Sequence, residues 1–91
     1  MIVRMGGYEF DDILYDAVGD VLYLHQGVPI PAAETLATPE GHAVMLDDVG
    51  KIIGITIVNA KWLAERDGLI AISIPERLET SASDLAPALV G

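Results

Sequence analysis

Ninety-one residues amount to one small domain, and its acids outnumber its bases by 14 to 5, for a formal charge of −9. Yet 52% of the residues are hydrophobic, which rules out a solvated, disordered acidic tail. Excess acid disfavours direct contact with nucleic acid or anionic lipid, and the absence of cysteine removes disulfides and thiolate chemistry.

Residues 1–10, with Gly6-Gly7 as a hinge, read as a flexible leader. Residues 11–75 read as a single α+β domain, and 76–91 as a C-terminal tail, frayed or forming one helical turn. From Ile13 the chain reads as short strands separated by turn chemistry. Ile13–Tyr15 is the first. Val21–Gln26 is the second, with Val21, Tyr23 and His25 on one face and Leu22 and Leu24 on the other. Gly27, Pro29 and Pro31 then break it, because proline cannot donate to a ladder. Ala32–Ala37 is a weaker strand and Pro39-Glu40-Gly41 a turn. Ala43–Leu46 and Lys51–Val58 follow. The last is the most β-branched segment, suited to a buried pleat, and simple alternation puts Ile53, Ile55 and Ile57 on one face. It is far shorter than the roughly 20 apolar residues a membrane helix needs.

Asn59 fits a helix N-cap, Ala60–Arg66 favour helix, and Gly68 sits where a terminating glycine belongs. The expected helix spans about 59–67, with Trp62 plugging it onto the sheet. Leu69–Ile74 is a final strand, stopped by Pro75, and Glu76–Glu79 suggests a helical turn. The fold class is therefore α+β: an antiparallel β-meander of about five short strands with one short helix packed on it.

Two segments echo each other. Asp16-Ala17-Val18-Gly19-Asp20-Val21-Leu22 matches Asp47-Asp48-Val49-Gly50-Lys51-Ile52-Ile53, displaced by 31 positions. Each reads as a hairpin loop in which Asp caps the turn and Gly takes the positive φ. Convergence on hairpin chemistry accounts for the match, and duplication is the alternative.

Reactive constellations are sparse. Asp47-Asp48 before Gly50 lacks the alternating oxygen ligands and closing Glu of a calcium loop, so neither metal nor cofactor is expected. His25 and His42 would need to converge with a carboxylate or serine to do chemistry. No Ser stands in a nucleophile-elbow motif, and Gly6-Gly7 lacks the lysine and helix of a phosphate loop. Tyr15 and Tyr23 lie in a region with only Arg4 as a cation, which suits core or subunit contacts better than base stacking. The candidate interaction surface is therefore Tyr15, Tyr23, Asp16, Asp20, Asp47 and Asp48.

At Tyr15-Asp16…Asp20-Val21-Leu22-Tyr23-Leu24 and Asp47…Gly50-Lys51-Ile52-Ile53-Gly54-Ile55-Thr56-Ile57…Asn59-Ala60, the chain resembles the domain-of-unknown-function family 2283. The resemblance covers about residues 11–63. Thr56 stands where the family often has an acid, and the Gly27–Pro39 linker is longer and richer in proline. The resemblance implies a small bacterial β-meander protein with a helix. It also implies a setting, in some members, like that of antitoxins beside basic ribonuclease-like toxins. It carries over no catalytic residue.

The expected function is a small acidic, non-enzymatic interaction module that self-associates as a homodimer, through a sheet edge or an apolar face. An antitoxin-like protein neutralising a basic toxin is the alternative. Residues 1–50 hold nine acids and only Arg4, which suits a basic protein partner. A small enzyme using His25 or His42 ranks last. The N-terminus lacks an apolar core with a cleavage site, so a cytoplasmic location is expected.

Overall fold

The computed structural model describes residues 1–28 and 30–90; Pro29, one of the expected strand breakers, and Gly91 lie outside the described residues. The central element is a five-stranded antiparallel sheet of β3 (Asp12–Asp16), β4 (Val21–His25), β5 (Glu34–Ala37), β6 (Ala43–Leu46) and β7 (Ile52–Val58). Its spatial order is β3-β4-β7-β6-β5, so the β-branched β7 is the middle strand. The α+β class and the five-stranded sheet agree with the sequence reading. Three smaller elements stack on one face: the hairpin β1 (Val3–Met5) and β2 (Tyr8–Phe10), helix α1 (Ala60–Asp67), and the hairpin β8 (Leu69–Ile72) and β9 (Leu78–Ser81). A four-residue helix α2 (Ala82–Leu85) and a 3-10 turn (Ala86–Ala88) close the chain. Among the described residues, no helix is long and apolar enough to cross a membrane.

One core lies between these layers. From the sheet it takes Leu22, Leu24, Val44, Leu46, Ile55 and Ile57. The opposing layer supplies Val3, Met5, Phe10, Ile70, Ile72 and Leu85, among others. Residues 1–10 are thus no flexible leader. Val3, Met5 and Phe10 are at most 2% exposed. Gly6 forms the turn between β1 and β2 with φ +61°, and a Cβ there would overlap the Leu78 side chain. The end of the chain is likewise not a frayed tail. Residues 78–81 pair with β8 as a strand instead of a helical turn, Ser81 caps Asp84 N–H at 3.1 Å, and Leu85, Ala88 and Leu89 are buried. Both ends are interrupted by glycine, proline or small residues in sequence, but each supplies apolar groups that cover the sheet.

Along β7 the alternation of faces is interrupted, and Ile53 does not join Ile55 and Ile57. The β6–β7 register shifts between Met45 and Leu46, so that Leu46 pairs with Ile52 and no longer with Ile53. This bulge turns Ile52 into the main core with Ile55 and Ile57, while Ile53 is buried outside that cluster. Strict alternation fails because a bulge sets two residues against one.

Helix α1 also differs from expectation. Its inward groups are Ala60 and Ala64, one helical turn apart. Trp62 is two positions from each, on the opposite side of a helix of 3.6 residues per turn. It is 55% exposed and carries the Arg66 guanidinium over its ring at 4.5 Å. The small alanines let the helix backbone approach the core, a place an indole cannot fill.

Phe10 tests the reassigned N-terminal segment. Phe10→Ala is expected to lower unfolding free energy by about 3–5 kcal/mol, measured by urea denaturation. A loss within about 0.5 kcal/mol, typical of a surface change, would show that the hairpin is not part of the cooperative core.

Candidate functional site

The six candidate surface residues do not form one patch. Asp16 is the last residue of β3, and its Oδ1 accepts from Val18 and Gly19 N–H at 3.1 and 3.3 Å. Asp47 Oδ1 accepts from Val49 and Lys51 N–H at 3.0 and 2.8 Å. Both act as the turn caps their spacing suggests. The two loops are not identical, however: positive φ falls on Gly50 in the second but on Asp20, not Gly19, in the first. Antiparallel pairing of β4 with β7 sets Val21 against Val58 and His25 against Gly54. The loop before Val21 and the loop before Ile52 therefore lie at opposite ends of the sheet, which also separates Asp16 and Asp20 from Asp47 and the exposed Asp48.

Asp20 is engaged in the fold itself. Its left-handed φ of 55° points the loop at the start of α1. Its carbonyl accepts from Ala60 N–H at 3.0 Å, and its carboxylate oxygens accept from Lys61 N–H at 2.8 Å and Trp62 N–H at 3.1 Å. Asn59, the expected N-cap, is itself left-handed and makes no side-chain cap bond. The cap thus comes from a distant loop, a signal no local motif carries. Tyr15 Oη donates to the same carboxylate at 2.7 Å. Burial acts to raise the Asp20 pKa, but the donors from Lys61, Tyr15 and Trp62 outweigh it and hold the carboxyl below its ordinary value. The hydrogen bond to Asp20, helped by burial, pushes the Tyr15 phenol up to about 12.

The two histidines lie on opposite sides of the sheet. His25 is on the face away from the core, where its Nδ1 donates to the Gln26 carbonyl at 3.0 Å. His42 is buried and lines a cleft of about 240 Å³ with Glu40, Leu63, Arg66, Asp67 and Ile70 among its walls. Val58 N–H donates to His42 Nδ1 at 3.1 Å, so Nδ1 carries the lone pair and Nε2 the proton. Glu40 is held by Ser73, whose N–H donates to it at 3.2 Å. Arg66 is occupied by both carboxylate oxygens of Asp67. His42 thus satisfies a backbone donor at the end of β7. Among the described residues, no group of three or more His, Asp or Glu side chains is placed to share a metal ion.

The second face of the sheet is the remaining candidate. Register puts Leu14 beside Tyr23, and Tyr23 beside Thr56, on this face. Met45 and His25 flank Gly54, where an added Cβ would lie 2.8 Å from Met45 Cε and 3.0 Å from His25 Cδ2. Tyr15, by contrast, pairs with Leu22 and packs against the core. The two candidate tyrosines thus sit on opposite faces, and only Tyr23 stays available to a partner. Leu14, Tyr23 and Val58 are 64%, 43% and 39% exposed. Asp12, Leu14, Tyr23, His25 and Met45 border a shallow depression of about 320 Å³.

No protein-family model, curated protein or solved structure matches this chain.

Two measurements test the polar assignments. Asp20→Ala removes both cap bonds and places alanine at positive φ. It is expected to cost about 2–3 kcal/mol, with Asp20→Asn costing less because asparagine tolerates that φ and keeps an acceptor. Equal losses for the two would contradict the cap. For His42, burial lowers the pKa and the Glu40 charge only partly opposes it. The folded protein therefore binds fewer protons than the unfolded chain. The stability contributed by neutral His42 is complete above the ordinary histidine pKa of about 6.5 and is lost as pH falls below it. Urea midpoints between pH 8 and 5 are expected to fall more steeply for the wild type than for His42→Gln. Parallel slopes would rule this linkage out.

Proposed function

We propose that this chain is a non-enzymatic protein-interaction module that self-associates. The observation behind this reading is the uncovered second face of the sheet, with Leu14, Tyr23 and Val58 held partly in water. Scattered exposed aliphatics, such as Val18 and Val49 at the loop tips, need no explanation. Several large apolar groups gathered on one face mark a surface that meets another molecule. A domain of this size without disulfides also gains from burial it cannot reach alone. Membership of family 2283 is part of the same proposal: the segments that carry the resemblance are the β3–β4 and β6–β7 hairpins.

A second reading draws on edge strand β3. Asp12 and Asp16 are exposed there, with Asp11 just before them. Among the described residues the ion pairs are Arg4–Glu9, Arg66–Asp67 and Arg77–Glu79, none of which involves these acids. Such an edge suits the antitoxin-like role, with a basic protein as partner. That complex would weaken as salt rises.

Self-association is tested by multi-angle light scattering from micromolar to millimolar protein. The mass is expected to climb from one copy towards two with concentration. A constant one-copy mass at millimolar concentration would rule the self-association out.

A further inference from the structure

We infer that the outer face of the sheet, away from the core, is the self-association surface, and that its occupant is the same face of a second copy. This rests on the proposed self-association and adds the surface that carries it.

Charge selects the occupant. Each copy carries −9, so two copies repel wherever acids meet. Register assigns to the outer face Val21, Tyr23 and His25 from β4, and Gly54, Thr56 and Val58 from β7. From β6 and β5 it assigns Ala43, Met45, Thr35 and Ala37. None of these is an acid, Lys or Arg. Acid is confined to Asp12 and Asp16 on edge strand β3. A basic partner finds no carboxylate across the centre of this face, whereas a second copy finds apolar and small groups like its own with the least repulsion.

Edge pairing, the other route to a sheet dimer, is opposed by the same acids. Two β3 strands joined antiparallel about Leu14 would set Asp12 of one copy opposite Asp16 of the other. Like charges directly opposite are destabilising. On the other edge, β5 is four residues long and starts with exposed Glu34, a short, charged edge of the kind that resists strand addition.

The size of the face suits a weak dimer. Five strands about 4.8 Å apart and about five residues long at about 3.3 Å each span roughly 24 by 16 Å, or roughly 400 Å² in projection on each copy. Two such faces give roughly 800 Å² in projection, short of the roughly 1,200 Å² of accessible area at the lower end of specific interfaces, so the dimer is expected to be weak and to form only at high protein concentration. The relief suits face-to-face packing. Gly54 keeps the centre low, while Leu14 and Tyr23 stand beside the depression they share with Met45. A two-fold operation seats the raised side of each copy in the hollow of the other.

The test is sedimentation equilibrium on wild type, Leu14→Lys, Tyr23→Lys and the edge control Glu34→Lys, with circular dichroism to confirm folding. Each lysine makes the chain less negative, so long-range repulsion alone predicts tighter dimers from all three. The outer face predicts at least tenfold weaker dimers from Leu14→Lys and Tyr23→Lys, and none weaker from Glu34→Lys. If lysine unfolds either site, Leu14→Thr and Tyr23→Thr replace it, with the same expectation. Raising salt from about 0.05 to 0.5 M should tighten the wild-type dimer by screening its like charges. Wild-type affinity in both face variants would overturn the inference and leave self-association standing. A wild type monomeric throughout would remove the self-association itself.

Discussion

The meeting of Asp20 with the first turn of α1 organises the molecule. A helix start leaves backbone N–H groups without partners, and here three of them are taken by one residue of a hairpin loop 41 positions earlier in the chain. The same carboxylate takes the Tyr15 hydroxyl, so β3, the β3–β4 loop and α1 share one joint. That joint sets where α1 crosses the core and which of its sides faces inward. It presents Ala60 and Ala64 to the core and leaves Trp62 outside. An acid that looked available to a partner is consumed by the architecture.

Much of the sheet was legible because its evidence is local. The β-branched run of β7, the alternation of Leu22 and Leu24 against Tyr23 and His25, and the Asp caps of both loops act within a few residues of themselves. The α1 boundaries were legible for the same reason, since Gly68 ends the helix by its own backbone preference. What escaped depends on distant partners. The register shift beside Met45 is decided by pairing with β6, so no periodicity in β7 announces it. The cap from Asp20 is non-local, and Asn59 made a convincing local decoy. Residues 1–10 and 76–91 look like loose ends because Gly6-Gly7 interrupts the first and small residues and Pro87 interrupt the second. Their role appears only when Phe10, Leu78 and Leu85 are seen to cover the sheet from above.

The candidate surface was legible only in part for a related reason. Composition identifies aromatic and acidic residues but not which face of which strand presents them. Tyr15 and Tyr23 are similar in sequence and opposite in space: one is bound to Asp20 above the core, the other stands in water. Asp11, Asp16, Asp20, Glu40 and Asp47 are fastened to backbone donors, and Asp12 and Glu34 stand on the edge strands, where their charge works against unwanted contacts. It leaves the middle of one face free of that repulsion. The chain is thus both greasy and acidic without contradiction, because the two properties occupy different regions of the same sheet.

The bulge beside Met45 has a consequence for how the two hairpins relate. Leu24 and Ile55, which stand 31 positions apart like the two loops, are paired directly across the β4–β7 seam. The flanking pairs Tyr23–Thr56 and His25–Gly54 exchange under the same operation. The half-sheets are therefore related by a local two-fold axis through that seam. The correspondence continues outward, with Asp12–His25 matching Ala43–Thr56, and stops at the bulge. There the second hairpin takes one residue out of the ladder to lengthen its loop. The two loops are not interchangeable parts. The symmetry of the sheet is thus a property of its seam, and its two ends can diverge only in lengths that preserve the seam.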